Sequence, residues 1–429
     1  MRLTQTAFVA VVAGLSASVL AGPPVSGNVI VREGDIVDGS AVTIINSPFT
    51  NGNGQVGLVI GLADGRRAIW FDTGVIFLSS DALPDVLTGG EGTMGVGNNG
   101  EFIYSPSYNG NDSVWGQNGL ILAGTQAAPG YGANFFSTFN SRPQMIDDGT
   151  AFWVGGINNG QGGTASFQRA LYKQGPGGAI SRVLSSGDVI GNTGGLTVAF
   201  PSGINFDYHV SGNGNHYINN LTAATVAASD TMIAVNGSMV AQEGGATGQG
   251  DAWQNFDLVS INNSGNYIFT GDTNAATNMD EFIAFNGVIG LREGQMVDGL
   301  TLGSAVNAAS LNNLNQAVFV WTTVQETETL FFASDASNLA ASVKLLSVGD
   351  LFDEDNDGIG DWTVTDFNAS GIIGPGLDFA DDGYVFVEVD LRSLDGSTTI
   401  EAIISLRVPS PASAAVLVLG ALAAARRRR

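Results

Sequence analysis

Apolar and polar residues alternate with a period of two along most of the chain, in short runs broken by Gly, Asn and Asp. That spacing predicts half-buried strands, because successive side chains of a strand point to opposite faces. Seven of these runs follow an Asn/Asp-Gly turn: "NGNGQVGLVI" at Gly54, "NNGEFIY" at Gly100, "DDGTAFWV" at Gly149, "GNGNHYI" at Gly214, "NNSGNYIF" at Gly265, "NNLNQAVFVW" at Asn315 and "DDGYVFVEV" at Gly383. Asn and Gly tolerate the positive φ of a tight turn, and β-branched and aromatic residues fill the pleated strand that follows.

A second element alternates with the first. Arg32-Glu33-Gly34-Asp35-Ile36-Val37-Asp38-Gly39 and Arg292-Glu293-Gly294-Gln295-Met296-Val297-Asp298-Gly299 match at six of eight positions. Weaker copies lie around Asp81, Gly124, Gly187, Gly244 and Gly349, a mean spacing of about 52 residues, the Asp81 copy being the weakest. Between the two elements run paired stretches such as Glu281 to Gly294 and Asp230 to Gly245, each a hairpin turning at Asn-Gly. One unit thus supplies about four strands in about 50 residues, the size of a propeller blade. The chain opens with one element, "NVIVREGD" from Asn28, and closes with the complement, Gly383 onward through "TIEAIISLRV", so its two ends together make one unit. The expectation is an all-β chain, a β-propeller of about seven four-stranded blades in which the N-terminal strand completes the last blade and removes exposed sheet edges. A tandem β-sandwich and a β-solenoid are the alternatives.

Composition agrees with a core-forming, turn-rich chain: 60 Gly, 44% hydrophobic and 13% charged among 429 residues. The balance of 16 basic to 40 acidic residues gives −24. Without Arg2 and the four terminal arginines, 11 basic residues remain against 40 acidic, or −29. Such a surface repels phosphate backbones, so nucleic acid is not an expected partner and divalent cations are better candidates; the plainer reading is that the acidity keeps an exported protein soluble. Cys is absent, which excludes thiol catalysis and Cys-bound zinc.

Both ends read as addresses. Residues 1–21 carry Arg2, an apolar stretch from Ala7 to Leu20 and small residues before a cleavage point between Ala21 and Gly22, the layout of a signal peptide. Residues 408–429 run Val408-Pro409-Ser410-Pro411, an apolar segment Ala412 to Ala425, then Arg426 to Arg429. Fourteen helical residues rise about 21 Å against a hydrocarbon core of about 30 Å, so the segment fits transient insertion better than permanent anchoring. Positive charge would hold its end on the cytoplasmic side. This tripartite order resembles the PEP-CTERM sorting signal of Gram-negative and planctomycete-type bacteria, with Ser410 where that family usually has Glu. The resemblance implies export, processing by an exosortase-like enzyme, transient membrane insertion at both termini, and delivery to the cell envelope, cell surface or extracellular matrix.

Residues 22–407 form the expected repeat domain. Within it "DEDNDGIGD" places Asp353, Asp355, Asp357, the Ile359 carbonyl and Asp361 at the spacing of a calcium loop, with Val364 where such a loop would carry a bidentate Glu. His209 and His216 flank a Gly-rich turn and read as ordinary strand-surface residues. Trp153 and Trp321 sit in alternating strands and read as core, whereas Trp115 and Trp253, in Gly/Asn-rich surroundings, are candidate stacking platforms for a ligand. The chain shows no Ser-centred elbow, zinc-protease helix or phosphate loop. The expected function is surface or matrix binding, with extracellular polysaccharide or a surface protein as partner. The alternative is a carbohydrate-active hydrolase or lyase using carboxylates in the propeller funnel.

Overall fold

The computed structural model describes residues 23–89, 93–132, 134–137, 142–158, 168–200, 203–325, 327–368 and 376–409. The expected cleavage point falls outside them: neither Ala21 nor Gly22 is a described residue, and the chain is described from Pro23 onward. Gly22, expected as the first residue of the repeat domain, lies outside the described residues. Ser410, Pro411 and the apolar tail also lie outside the described residues. Val408 and Pro409 lie inside, and Val408 donates its N–H to the Gly383 carbonyl at 2.9 Å. Among the described residues no helix is long and apolar enough to cross a membrane.

The chain is all-β, and the strands of the described residues form seven sheets in chain order. The fourth and fifth sheets are plain four-stranded meanders: Ile204–Val210, Tyr217–Thr222, Thr231–Val235, Ser238–Gln242, and then Val259–Ile261, Tyr267–Asp272, Glu281–Phe285, Val288–Arg292. Their third and fourth strands join through Asn236-Gly237 and Asn286-Gly287, all four at positive φ, the primed turn that suits the twist of a hairpin.

Both repeat signals have a backbone cause. All seven residues of the Asn/Asp-Gly element, Gly54, Gly100, Gly149, Gly214, Gly265, Asn315 and Gly383, adopt φ between 60° and 87°. In the Gly-Asp element Gly34, Gly187, Gly244, Gly294 and Gly349 are likewise at positive φ, whereas in the copy at Gly124 that role passes to Thr125. The Asp81 copy is not a Gly turn; Asp81 sits in the short 3-10 helix Ser79–Ala82 and accepts the Leu78 N–H at 2.8 Å.

Continuous apolar runs reflect burial on both faces of a sheet. In Ala317–Thr323 of the sixth sheet, Val318 and Val320 face the seventh sheet while Phe319 and Trp321 face the fifth. Among the described residues seven buried clusters arise in this way, one between each successive pair of sheets and one between the seventh and the first, where Val31, Phe386 and Ile403 meet Val42, Leu58 and Ala68. The expected junction of the two ends is present. Asn28–Arg32 pairs antiparallel with Thr399–Arg407, Val29 opposite Ile404 and Arg32 opposite Ala402. A pair that the periodicity does not indicate adds to it: Val25–Ser26 runs parallel to Leu351–Asp353.

Two expectations about tryptophan fail. Trp115 is 6% and Trp253 5% exposed. Trp115 packs against Phe77 and Tyr108, and Trp253 against Phe256, Phe269 and Phe282, so neither offers a ring face to a ligand. The flanks of both are polar, but inter-sheet packing decides which way an indole points. Trp153 and Trp321 are core, each fully buried.

Candidate functional site: an axial cavity and an acidic loop

The innermost strand of each sheet has an edge with no further strand beside it, and its backbone groups must find partners elsewhere. Side chains from neighbouring sheets supply them. Gln144 of the third sheet donates to the Tyr208 carbonyl and accepts the Val210 N–H. His209 Nδ1 accepts the Ile261 N–H at 3.0 Å, and Ser260 Oγ accepts the Leu311 N–H at 3.2 Å. Asp378 ties three sheets together: Ser310 Oγ and its neighbour Phe379 N–H donate to one oxygen, Thr50 N–H and Oγ1 to the other.

These staples surround a cavity of about 110 Å³ to which all seven sheets or their connections contribute, including Phe49, Thr93, Arg142, Phe206, His209 and Leu377. Phe49, His209, Ser310 and Asp378 also line a narrower space of about 70 Å³ that leads toward the Asn/Asp-Gly turns. There the turns link in sequence: Asn51 Nδ2 to Gly97 O, Asn98 N to Asp147 O, Asp147 N to Gly212 O, Asn213 N to Asn263 Oδ1, Asn263 N to Asn313 Oδ1 and Asn313 N to Asp381 Oδ1. The last turn reaches the first, since a Cβ on Gly54 would lie 2.7 Å from Asp382 Oδ2.

The electrostatics of the cavity are largely settled within it. Arg142 Nη1 pairs with Asp207 Oδ1 at 2.6 Å, and Tyr208 donates its hydroxyl to the Arg142 carbonyl at 2.6 Å. Burial pushes the His209 imidazole below its ordinary value, against a smaller opposing pull from Asp378. Because Nδ1 accepts a backbone N–H, the neutral ring carries its proton on Nε2. The buried Thr93 Oγ1 has no hydrogen-bond partner among the described residues, and Nε2–H is the donor that the His209 ring has left once Nδ1 is engaged. The surface position expected for His209 is not what the structure shows, since the residue lines the cavity. His216 instead packs against the turn at Gly265, and its Nδ1 lies 3.2 Å from Asn236 Nδ2. Thr93 carries no local signal at all.

The sequence predicts five ligands in the acidic loop. The structure brings three together: ligand atoms of Asp353, Asp355 and Asp361 lie within 4.8 Å of one another. Asp353 is fully buried, and its carboxylate accepts N–H groups from Asp357 and Gly358 and the Ser26 hydroxyl. Asp357 is not in the cluster; its carboxylate instead accepts the Ile359 N–H at 2.7 Å, and the Ile359 side chain is exposed. Val364, at the position of a bidentate Glu, is buried in the core. The loop therefore offers a three-carboxylate set, chemistry suited to a hard cation with water completing the shell.

No family model and no curated protein matches the chain. Among solved structures, it is similar to the polysaccharide lyase Uly1 at 9% identity, over 89% of this chain and 91% of that one, with a TM-score of 0.42. It is similar to the WD40 β-propeller domain of Doa1 at 10% identity, over 90% and 98% of the two chains, with a TM-score of 0.39. The fucose-specific lectin of Aleuria aurantia matches at 9% identity over 66% of this chain and 89% of the lectin, with a TM-score of 0.28.

Proposed function

We propose that the chain is an exported, non-enzymatic β-propeller of seven blades whose axial cavity binds a neutral, hydroxyl-bearing ligand such as the terminal unit of an extracellular polysaccharide. The observation that carries this reading is the buried Thr93 Oγ1, which has no hydrogen-bond partner among the described residues, in the same wall as His209 Nε2, the remaining donor of a ring whose Nδ1 is engaged. A buried polar group without a partner is costly, and a ligand hydroxyl can serve both as donor and as acceptor. Phe49 and Phe206 give the same space apolar faces. The −24 charge favours a neutral glycan over an anionic one. Binding is favoured over hydrolysis because the axial carboxylates are committed, Asp207 to Arg142 and Asp378 to four hydrogen bonds. The sequential inter-sheet clusters and the pairing of the two chain ends support the seven-blade reading.

In this reading a signal peptidase cuts between Ala21 and Gly22 and an exosortase-like enzyme cuts the tail. Intact mass of the protein from its host then starts at Gly22 and lacks Arg426 to Arg429; retention of either end would remove that part of the export reading alone. Calcium is proposed as a structural ion at Asp353, Asp355 and Asp361, where it would neutralise carboxylates that Ser26 and the N-terminal segment hold in place. The binding test is an array of immobilised neutral and anionic glycans. Wild type is expected on neutral glycans, and Thr93→Val, which removes one hydroxyl and no protein hydrogen bond, is expected to weaken binding roughly tenfold. No binding by well-folded wild type, or equal binding by Thr93→Val, would overturn the reading.

A further inference from the structure

The seventh sheet carries a second cavity, of about 520 Å³, lined by Glu33, Asn368, Glu388, Asp390, Ile400 and Glu401 together with Thr399. Strand register gathers its carboxyls. Asp390 lies opposite Glu401 on neighbouring strands, and Glu388, two residues along, shares the same face. Glu33 arrives from the N-terminal end and accepts the Glu401 N–H at 3.3 Å, while Asp390 accepts Asn368 Nδ2 at 2.9 Å. Among the described residues no Lys or Arg lines the space.

Glu388 is the anomaly. It is only 7% exposed, and among the described residues no N–H or hydroxyl reaches its carboxyl; its one polar contact is the Glu401 carboxyl. Burial first, then the Glu401 carboxyl, pushes Glu388 up to about 9, and burial also raises Glu401. Two carboxyls in hydrogen-bond contact repel each other when both are ionised, so the pair favours holding a proton, in the place a cation would occupy. The remaining charged groups that face the pair are all acidic: Glu33, Asp390, and Asp366 acting on Asp390 from Trp362–Phe367.

The geometry points to an organic ammonium site: a primary ammonium group enters this cavity and donates to Glu388, Glu401 and Asp390. It takes the place of the proton that Glu388 and Glu401 share. A primary ammonium carries three N–H donors, which suits three carboxyls spread along a strand pair, and Ile400 lies beside them to meet its methylenes. A bare divalent ion suits the cavity less well, because among the described residues three acidic ligands converge within 4.8 Å only at Asp353, Asp355 and Asp361. The displaced proton leaves to solvent, so binding releases up to one proton and strengthens as pH rises toward the Glu388 range.

The experiment is calorimetric titration of butylammonium chloride into the folded protein, in buffers of different ionisation enthalpy, at about pH 6 and about pH 8. Expected are proton release, tighter binding at the higher pH, and no binding of butanol. Glu388→Gln mimics the protonated acid and keeps its donor to Glu401; it is expected to fold, to abolish proton release and to weaken binding roughly tenfold. Glu401→Gln, the second variant, should weaken binding as well. No heat with butylammonium in cooperatively melting wild type, affinity unchanged in both variants, or calcium binding that Glu388→Gln abolishes and Asp355→Ala spares would each overturn the assignment.

Discussion

The fifth and seventh sheets are built from the same turn chemistry and differ in what holds them together. The fifth uses only residues 259–292, in chain order, and each strand pairs with its neighbour in sequence. The seventh assembles strands from both ends of the chain, Val25–Ser26 and Asn28–Arg32 with those after Leu351. Its N-terminal segment does more than pair. Ser26 donates to Asp353, Asn356 donates to the Gly27 carbonyl, and Arg32 reaches Glu354 at 3.0 Å, so the segment clamps the acidic loop. Local construction makes a sheet that neighbours can stack on; shared construction leaves the seventh sheet to be completed by a strand of five residues from the other end of the chain.

The largest expected effect follows from that dependence. Deleting residues 28–35 strips Thr399–Arg407 of its partner on one edge, leaving only Tyr384–Ser393 on the other, and opens the cluster at Val31 and Ile403, so cooperative melting of the whole body should be lost. A deletion mutant that keeps a wild-type melting temperature apart from one small local transition would show that the two sheets do not differ in this way.

A smaller effect probes what the two sheets share. Glu281 in the fifth and Glu388 in the seventh are both raised to about 9, chiefly by burial. A carboxyl raised in the folded state contributes stability that is full below its unfolded value near pH 4.5 and is lost as pH climbs through about 9. Wild type should therefore melt at a lower temperature at pH 9 than at pH 5. Glu281→Gln and Glu388→Gln, neutral at every pH, should each flatten that decline; a wild-type decline that both variants reproduce would contradict the assignment.

Much of this architecture is legible in the chain, for a local reason. A positive φ at Gly54 or Gly383 is a requirement of one residue, and a strand's alternation is a requirement of a few, so both leave marks in sequence. The pairing of the two ends is legible because each end carries half of one pattern. Trp115 and Trp253 mislead because burial between sheets depends on partners far along the chain, Phe77 for one and Phe282 for the other. The axial cavity leaves no mark either: Thr93, Arg142 and His209 come from three different sheets or their connections, and nothing near His209 signals that Ile261 fixes its tautomer. Glu388 and Glu401 meet only through register.

The smallest effect distinguishes the seventh sheet alone. Calcium in excess should raise the melting temperature by mass action, about 2.7 kcal/mol at a hundredfold excess over Kd, which for a chain this long is a shift of a few degrees. Chelator or Asp355→Ala, an exposed position, should erase it. Equal melting in calcium and in chelator would show that the acidic loop holds no structural calcium.

The most direct test of closure is amide hydrogen exchange of residues 28–32 against residues 399–407. Both segments should exchange in one slow phase, because each protects the other across Val29–Ile404 and Arg32–Ala402. Exchange of residues 28–32 within seconds while residues 399–407 stay protected would contradict it.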